Sequence, residues 1–329
     1  MLARLLAAIA SVCQGGPHVI GVEQTTLVRD EESTVIERTV SANGFDFRVH
    51  EAGSGDRLAL CLHGFPELGY SWRHQLPLLA DLGYRAWAPD LRGYGATRPR
   101  PRRRRDYLTP LLVDDVAALI DAADPSETVL IGHDWGAALA WTLAIQQVRP
   151  LDRLVIMNVP HPARLQRQLR TFGQLRKSWY IFFFQLPWLP EYALGRNGAQ
   201  AVGEAFSAMA VNPERFDDEV LDVYRRAASQ PGALRAMVNW YRGAVLSLRS
   251  TWRSTDPVIE TPTLMVWGEQ DTALGKELAE GTDEYVSDLT LRYVPDASHW
   301  VQQDQPDVVN AMLQAFLTRQ PVPERADLP

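Results

Sequence analysis

Cysteine is nearly absent, with two in 329 residues, Cys13 and Cys61. Lacking any C-x-x-C spacing, the pair supports neither a disulfide framework nor a zinc site. Cys61, inside the apolar run LALCLHG, is expected as a buried free thiol. No apolar run is long enough to span a membrane. The start, MLARLLAAIASVCQGG, has only a short one from Leu5 to Val12, which fits either a weak export signal or an amphipathic surface helix. A cytoplasmic location is the expectation, with export as the alternative. Basic charge is not in excess either: the formal net charge is −7, which gives no reason to expect nucleic acid as a partner. The local exception is RPRPRRRRDY, Arg98 to Tyr107. It is expected to be a solvated loop before a helix, with contact to a partner or an anionic surface as the other reading. No internal repeat is visible.

What is present is an ordinary globular composition, 46% hydrophobic and 22% charged, in a chain long enough for one large core or a core and a second domain. STVIERTVSANGFDFRVHEAG reads as two strands around an Asn43-Gly44 turn. Six further strand-like runs follow: RLALCLHG, YRAWAPD, TVLIGHD, LDRLVIMNV, TPTLMVWGEQD and LTLRYVPDASH. Helical patterns such as PLLVDDVAALIDAAD and GAALAWTLAIQQVR separate most of them. This alternation predicts an α/β fold with a mostly parallel sheet covered on both faces. It breaks between about Pro160 and Pro257, where every segment reads as helix, so an all-helical cap inserted between two strands is expected. The expected organisation is an N-terminal extension over 1–30, a core over 31–159 and 257–319, a cap over 160–256, and a frayed tail over 320–329.

Several strand runs end in polar or glycine-containing signatures, where open α/β sheets place ligands. In GHDWG, between TVLI and AALAWTLAI, glycines flank Asp134 at a strand-turn-helix junction. Asp134 suits a helix N-cap, but a cap does not call for glycines on both sides, and the elbow of a nucleophile does. Asp271 after VWGEQ and His299 after the last strand complete the chain order of nucleophile, acid and histidine. Asn158 competes with Asp271 to orient the imidazole but lacks the charge to stabilise imidazolium. Asp296 reads as turn chemistry. Of the other histidines, His63 and His133 lie inside glycine signatures, where packing or supporting roles are expected. His74 is placed on a helix and His161 at the start of the insertion. HGFPE, His63 to Glu67, follows the third strand, so the Phe65 and Trp135 amides are candidates for an oxyanion hole.

Together HGFPE, PDLRGYG, GHDWG, WGEQD and SHW resemble the epoxide hydrolases of the α/β-hydrolase superfamily, in order from about Val40 to Thr318. The resemblance implies an eight-stranded, mostly parallel sheet. It also implies two cap tyrosines that bind the epoxide oxygen, which SWYIFFFQLP and NWYRG supply as Tyr180 and Tyr241. Phe65, Trp135 and Trp300 are the expected substrate-contacting rings. The aspartate then has a chemical reason. Serine attacking an sp³ epoxide carbon would leave an ether that activated water cannot cleave, whereas a carboxylate leaves an ester that it can. The expected partners are a small hydrophobic epoxide and water, with no cofactor or metal, and a homodimer stays open. The alternatives are a haloalkane or fluoroacetate-type dehalogenase using the same aspartate, and a non-catalytic hydrolase-fold binding protein. Phe65, where dehalogenases typically show asparagine, and the tyrosine pair both favour the epoxide.

Overall fold

In a computed structural model of the chain, which describes residues 35–168, 179–247 and 258–329, the strand-like runs assemble into one eight-stranded sheet. The first two strands, β1 (Ile36–Ala42) and β2 (Phe45–Ala52), pair antiparallel. Asn43 and Gly44 between them adopt φ of 46° and 75°, the positive values a two-residue hairpin turn requires. The chain continues through β3 (Arg57–Leu62), α1 (Gln75–Asp81), β4 (Arg85–Pro89), α2 (Thr109–Ala123), β5 (Glu127–His133), α3 (Trp135–Ile145) and β6 (Arg153–Met157). The helical layer follows: α4 (Pro162–Gln168), α5 (Trp179–Phe184), α6 (Leu189–Met209), α7 (Asp218–Ser229) and α8 (Ala233–Ser247). Within α6 the backbone leaves helical geometry at Arg196, Asn197, Gly198 and Ala199. The core resumes with β7 (Thr263–Gly268) and β8 (Leu289–Val294), then α9 (Val301–Asp304) and α10 (Pro306–Leu317). The strands lie in the order β1-β2-β4-β3-β5-β6-β7-β8, and all pairs from β4 onward are parallel.

Alternation along the central strands divides the core in two. Leu58, Leu60 and Leu62 of β3 join the packing around α2 and α3, while Ala59 and Cys61 face the opposite layer with α1 and α10. Because both faces are covered, the strands read as continuous apolar runs, as the sequence predicts. Cys61 is fully buried, and burial pushes its thiol pKa up, so it is an inert core thiol. Cys13, with the rest of the expected N-terminal extension, lies outside the described residues.

Between β6 and β7 every described element is helical. Helix α7 shows why: Asp217 caps it by accepting the Val220 amide at 2.9 Å, Asp218 and Glu219 sit in its positive first turn, and Leu221, Tyr224 and Ala228 form its buried stripe. Helix α8 is tied to the core at three points. The Trp240 indole donates to Arg92 O (3.0 Å), the Asn239 amide to Arg102 O (3.2 Å), and Ser247 Oγ accepts from Thr109 N (3.0 Å).

Three expectations need correction. The tail over 320–329 does not fray: Val322 is buried, Arg292 donates to the Val322 carbonyl at 2.7 Å, and Arg325 pairs with Asp296 at 2.8 Å. Asp296 lies in the turn after β8, as expected, and also anchors the tail. The basic run is only partly a solvated loop. Arg98 and Arg100 both donate to Gln230 Oε1 at 3.0 Å and so fasten the α7–α8 connection, and Tyr107 is fully buried. His74 immediately precedes α1 instead of lying within it. No helix among the described residues is long and apolar enough to cross a membrane.

Candidate active site

The turn from β5 into α3 forces Asp134 into φ 48°, ψ −120°, a sparsely populated conformation costing on the order of 1–3 kcal/mol for a residue with a side chain. Two glycines make the turn possible. A Cβ on Gly136 would collide with the Leu62 carbonyl of β3, and one on Gly132 would lie 2.7 Å from Ala137 Cα. Asp134 stands at the N-cap position, yet its side chain makes no capping bond. It turns away, Oδ1 accepting from the Phe65 amide at 2.8 Å and Oδ2 lying 3.4 Å from His299 Nε2. The Trp135 amide opens α3, in the first turn where N–H groups have no partner within the helix.

On the far side of the His299 ring, Nδ1 meets Asp271 Oδ2 at 2.7 Å. The loop after β7 holds that carboxylate firmly, its Oδ1 accepting the Ala273 and Leu274 amides at 2.7 and 2.9 Å. Asn158 does not compete for the imidazole. Its amide donates to Asp271 Oδ2 at 2.9 Å and its carbonyl accepts from Gly268 N at 3.0 Å, so it braces the acid. Burial opposes a charged His299, but the Asp271 charge, then Asp134, outweighs it and raises the imidazole pKa well above its usual range. Burial likewise opposes ionisation of Asp134, yet the hydrogen bond and charge of His299, with His133 and the Phe65 amide, hold its pKa below the usual carboxylate value.

Glu67, the last residue of HGFPE, is a site residue that the sequence reading left without a role. Its fully buried carboxylate accepts four hydrogen bonds. Gly64 N (2.9 Å) and His133 Nδ1 (2.6 Å) reach Oε2, and the Gln302 and Gln303 amides (2.9 Å each) reach Oε1. His133 Nε2 in turn donates to the His299 carbonyl at 2.7 Å. Burial pushes the Glu67 pKa up, but the His133 charge and these bonds more than reverse the shift. One carboxylate therefore links the loop carrying the Phe65 amide, the end of β5 just before Asp134, and the backbone of His299. His63 is neutral by its bonding: Nδ1 donates to Gly64 O at 2.8 Å and Nε2 accepts from Leu91 N at 3.0 Å. Burial lowers its pKa accordingly.

Tyr180 from α5 and Tyr241 from α8 meet edge to face, ring centroids 5.9 Å apart. Tyr241 also packs on Trp135 (5.0 Å) and Phe65 (5.2 Å). Its position follows from its neighbours: Trp240 is pinned to Arg92, and Arg242 ties α8 to the Phe184 carbonyl at the end of α5 (2.9 Å). Burial raises both phenol pKa values, and the nearby Asp134 charge adds to the shift, so both remain protonated donors. Phe65, Trp135, Phe184 and Ile181 complete an apolar surround. Trp300 is placed differently. Its ring contacts among the described residues run to His299, His133 and Phe206, behind the imidazole. No group of His, Cys, Asp and Glu among the described residues is arranged to hold a metal ion.

A mostly parallel sheet with an aspartate elbow after β5, an acid after β7 and a histidine after β8 defines an α/β-hydrolase. The profile of the α/β-hydrolase fold family matches residues 60–306. The chain is 40% identical to human epoxide hydrolase 4 over 82% of its own length and 75% of the relative's. It is 38% identical to the AB hydrolase superfamily protein YfhM of Bacillus subtilis, covering 85% of this chain and 97% of that one. Among solved structures, the Bacillus megaterium epoxide hydrolase in complex with an inhibitor superposes with a TM-score of 0.77 at 28% identity, over 85% of this chain and all of that one. The chain belongs to the epoxide hydrolases of the α/β-hydrolase family.

Removing the Glu67 carboxylate leaves His133 and three other donors buried without their acceptor. Glu67→Ala should lower stability by about 3–5 kcal/mol, the usual cost of breaking a buried pair, read from the urea midpoint. An unchanged midpoint would show that the network carries no structural weight.

Proposed function

We propose that this enzyme converts a hydrophobic epoxide and water to a vicinal diol through an ester on Asp134. The observation that carries the proposal is convergence. Two protonated tyrosines from separate helices meet, Tyr241 packing on Phe65 and Trp135, close enough for the Asp134 charge to raise both phenols, and a His–Asp pair serves the same carboxylate. Asp134 Oδ2, free of backbone bonds, attacks an epoxide carbon from behind, and the C–O bond of the ring breaks. Tyr180 and Tyr241 donate hydrogen bonds to the emerging alkoxide, and one of them gives it a proton. Oδ1 becomes the ester carbonyl oxygen, already facing the Phe65 amide.

Alkylation cancels the Asp134 charge. The His299 pKa falls with the loss of that neighbour, and the ring gives up its proton to restore the tyrosine or to solvent. Neutral His299, steered by Asp271, then takes a proton from water that attacks the ester carbon. The Phe65 and Trp135 amides hold the tetrahedral oxyanion; its collapse breaks the ester C–O bond, the departing alkoxide takes the proton of the newly added hydroxyl, and diol and carboxylate remain beside protonated His299. The aromatic surround suits an apolar substituent on the epoxide. A dehalogenase would need N–H donors for a departing halide, whereas the tyrosine pair offers O–H groups that can hydrogen-bond and protonate an oxygen.

His299→Gln tests the covalent step. Alkylation should proceed while turnover falls by at least ~100-fold, the scale of a lost general base. The intact mass should rise by one whole substrate, located by peptide mapping on Asp134. Absence of any adduct would sink the ester mechanism. The Tyr180→Phe/Tyr241→Phe double variant should lose ring opening by at least ~100-fold with the fold intact by circular dichroism. Retained epoxide turnover, or haloalkane turnover in the unmodified enzyme, would overturn the assignment of the leaving group.

The pH dependence has a definite sign. Asp134, held below the ordinary carboxylate range, stays ionised at neutral pH, so alkylation should fall only in acid. Ester hydrolysis needs His299 without its extra proton, and Asp271 still holds that proton after Asp134 is esterified, so its rate should rise as pH increases beyond the usual histidine range. Single-turnover tryptophan fluorescence separates the two steps. A hydrolytic rate that declines with that increase would exclude His299 as the base.

A further inference from the structure

The outer side of the helical layer carries a surface the reaction does not use. Around the α5–α6 turn, Phe182 is 62% exposed, Trp188 70% and Tyr192 60%, with Leu186 and Leu189 exposed beside them. Single exposed apolar side chains are ordinary, but a cluster of large ones marks a contact surface. The basic run presents a second feature. Arg102, Arg103, Arg104 and Arg105 are all exposed, and none forms an ion pair with a carboxylate among the described residues.

Two sets of contacts bring these features together. The Arg102 carbonyl accepts from Asn239, whose own carbonyl accepts from Arg242, and Arg242 donates to the Leu186 carbonyl at 2.6 Å. Separately, a groove of about 560 Å³ is lined by both Trp188 and Gln230, and Gln230 is the residue gripped by Arg98 and Arg100. The exposed rings and the arginines therefore both border α8, along which the basic segment runs. Six arginines within Arg98–Arg105, in a chain of net charge −7, select an anionic partner. The adjacent tryptophan, phenylalanine and leucines select one with an apolar interior, since a nucleic acid or a soluble anion would leave them in water.

We propose that this face docks on an anionic lipid membrane, with Trp188, Leu186 and Phe182 at headgroup depth and Arg102–Arg105 on the phosphates. Phe182 lies two residues from Tyr180 on α5, so docking brings the tyrosine helix to the phase in which an apolar epoxide dissolves. The docking face stands on its own contacts and charges and does not depend on the reaction proposed above.

Flotation of the full chain with phosphatidylcholine vesicles, with and without phosphatidylserine, tests it. Binding should require phosphatidylserine and weaken with salt. Replacing Arg102–Arg105 together with serine should lower the partition coefficient by about 100-fold or more, from roughly a factor of five per arginine. Leu186→Ser/Trp188→Ser should weaken binding even at low salt. Both variants should retain turnover of a water-soluble epoxide. Vesicle binding that neither variant reduces places the contact elsewhere and overturns the proposal. So does an absence of binding, or a concentration-dependent dimer that Leu186→Ser/Trp188→Ser abolishes. An enzyme that turns over epoxide but ignores the vesicles refutes only the docking face, and one that binds vesicles without turnover refutes only the reaction.

Discussion

One imidazole held between two carboxylates, Asp271 buried and Asp134 partly buried, is the interaction on which the site depends. Neither Asp134 nor His299 could carry charge alone at this depth, because desolvation opposes both. Each is ionised because the other is, and Asp271, fixed by two backbone amides and Asn158, weights the balance toward a charged ring. A grouping of two negative charges about one positive charge is responsive. Neutralise either carboxylate and the proton on the ring is held less tightly. In the reaction proposed here that neutralisation is the alkylation itself, so the first chemical step prepares the base for the second without any movement of the protein.

Such a balance requires positions fixed to a fraction of an ångström, and the groups come from loops after β3, β5, β7 and β8. Glu67 supplies the fixing for three of these loops. Its four hydrogen-bond donors come from the Gly64 loop, from His133 at the end of β5, and from Gln302 and Gln303 after β8. A buried carboxylate is unfavourable in isolation, but one whose lone pairs are all used specifies a single arrangement of its partners. The strained backbone at Asp134 persists for the same reason, because the structure around it leaves no relaxed alternative.

The fold was legible because both faces of the sheet are covered, which turns each central strand into a short, unmistakable apolar run bounded by turn residues. Asn43-Gly44 announced its hairpin through backbone chemistry alone. Asp134, Asp271 and His299 could be picked out because each follows a strand run and their chain order is itself a signal. Glu67 could not, since a glutamate two residues beyond Phe65 carries no mark of burial until β8 and the glutamines after it are folded against the turn. Asn158 stands out as a polar residue at a strand end, but its duty to Asp271 depends on the pairing of β6 with β7. The tail misled for a related reason: QPVPERADLP has the composition of a frayed end, and only the tertiary placement of Asp296 and Arg292 gives Arg325 and the Val322 carbonyl their partners. Tyr180 and Tyr241 came from resemblance, since no local pattern distinguishes them from core aromatics.

That last point bears on how an aspartate elbow acquires its chemistry. In the reaction proposed here, the elbow, the histidine and the acid make an alkyl ester and undo it, and they are indifferent to what departs from the carbon. The leaving group is chosen by what faces Asp134 across the cleft, and that face belongs to α5 and α8. Their placement is set by a few contacts remote from the reacting atoms: Trp240 on the Arg92 carbonyl, Arg242 on the end of α5, and Arg98 and Arg100 on Gln230. Three of these four arginines lie in the segment that runs from PDLRGYG into the basic loop, so the loop after β4 acts as the seat of the helical layer. A substitution at Arg98 or Arg100 would leave the triad untouched and still shift the helices that carry the tyrosines, which makes selectivity among electrophiles a property of the seat as much as of the site.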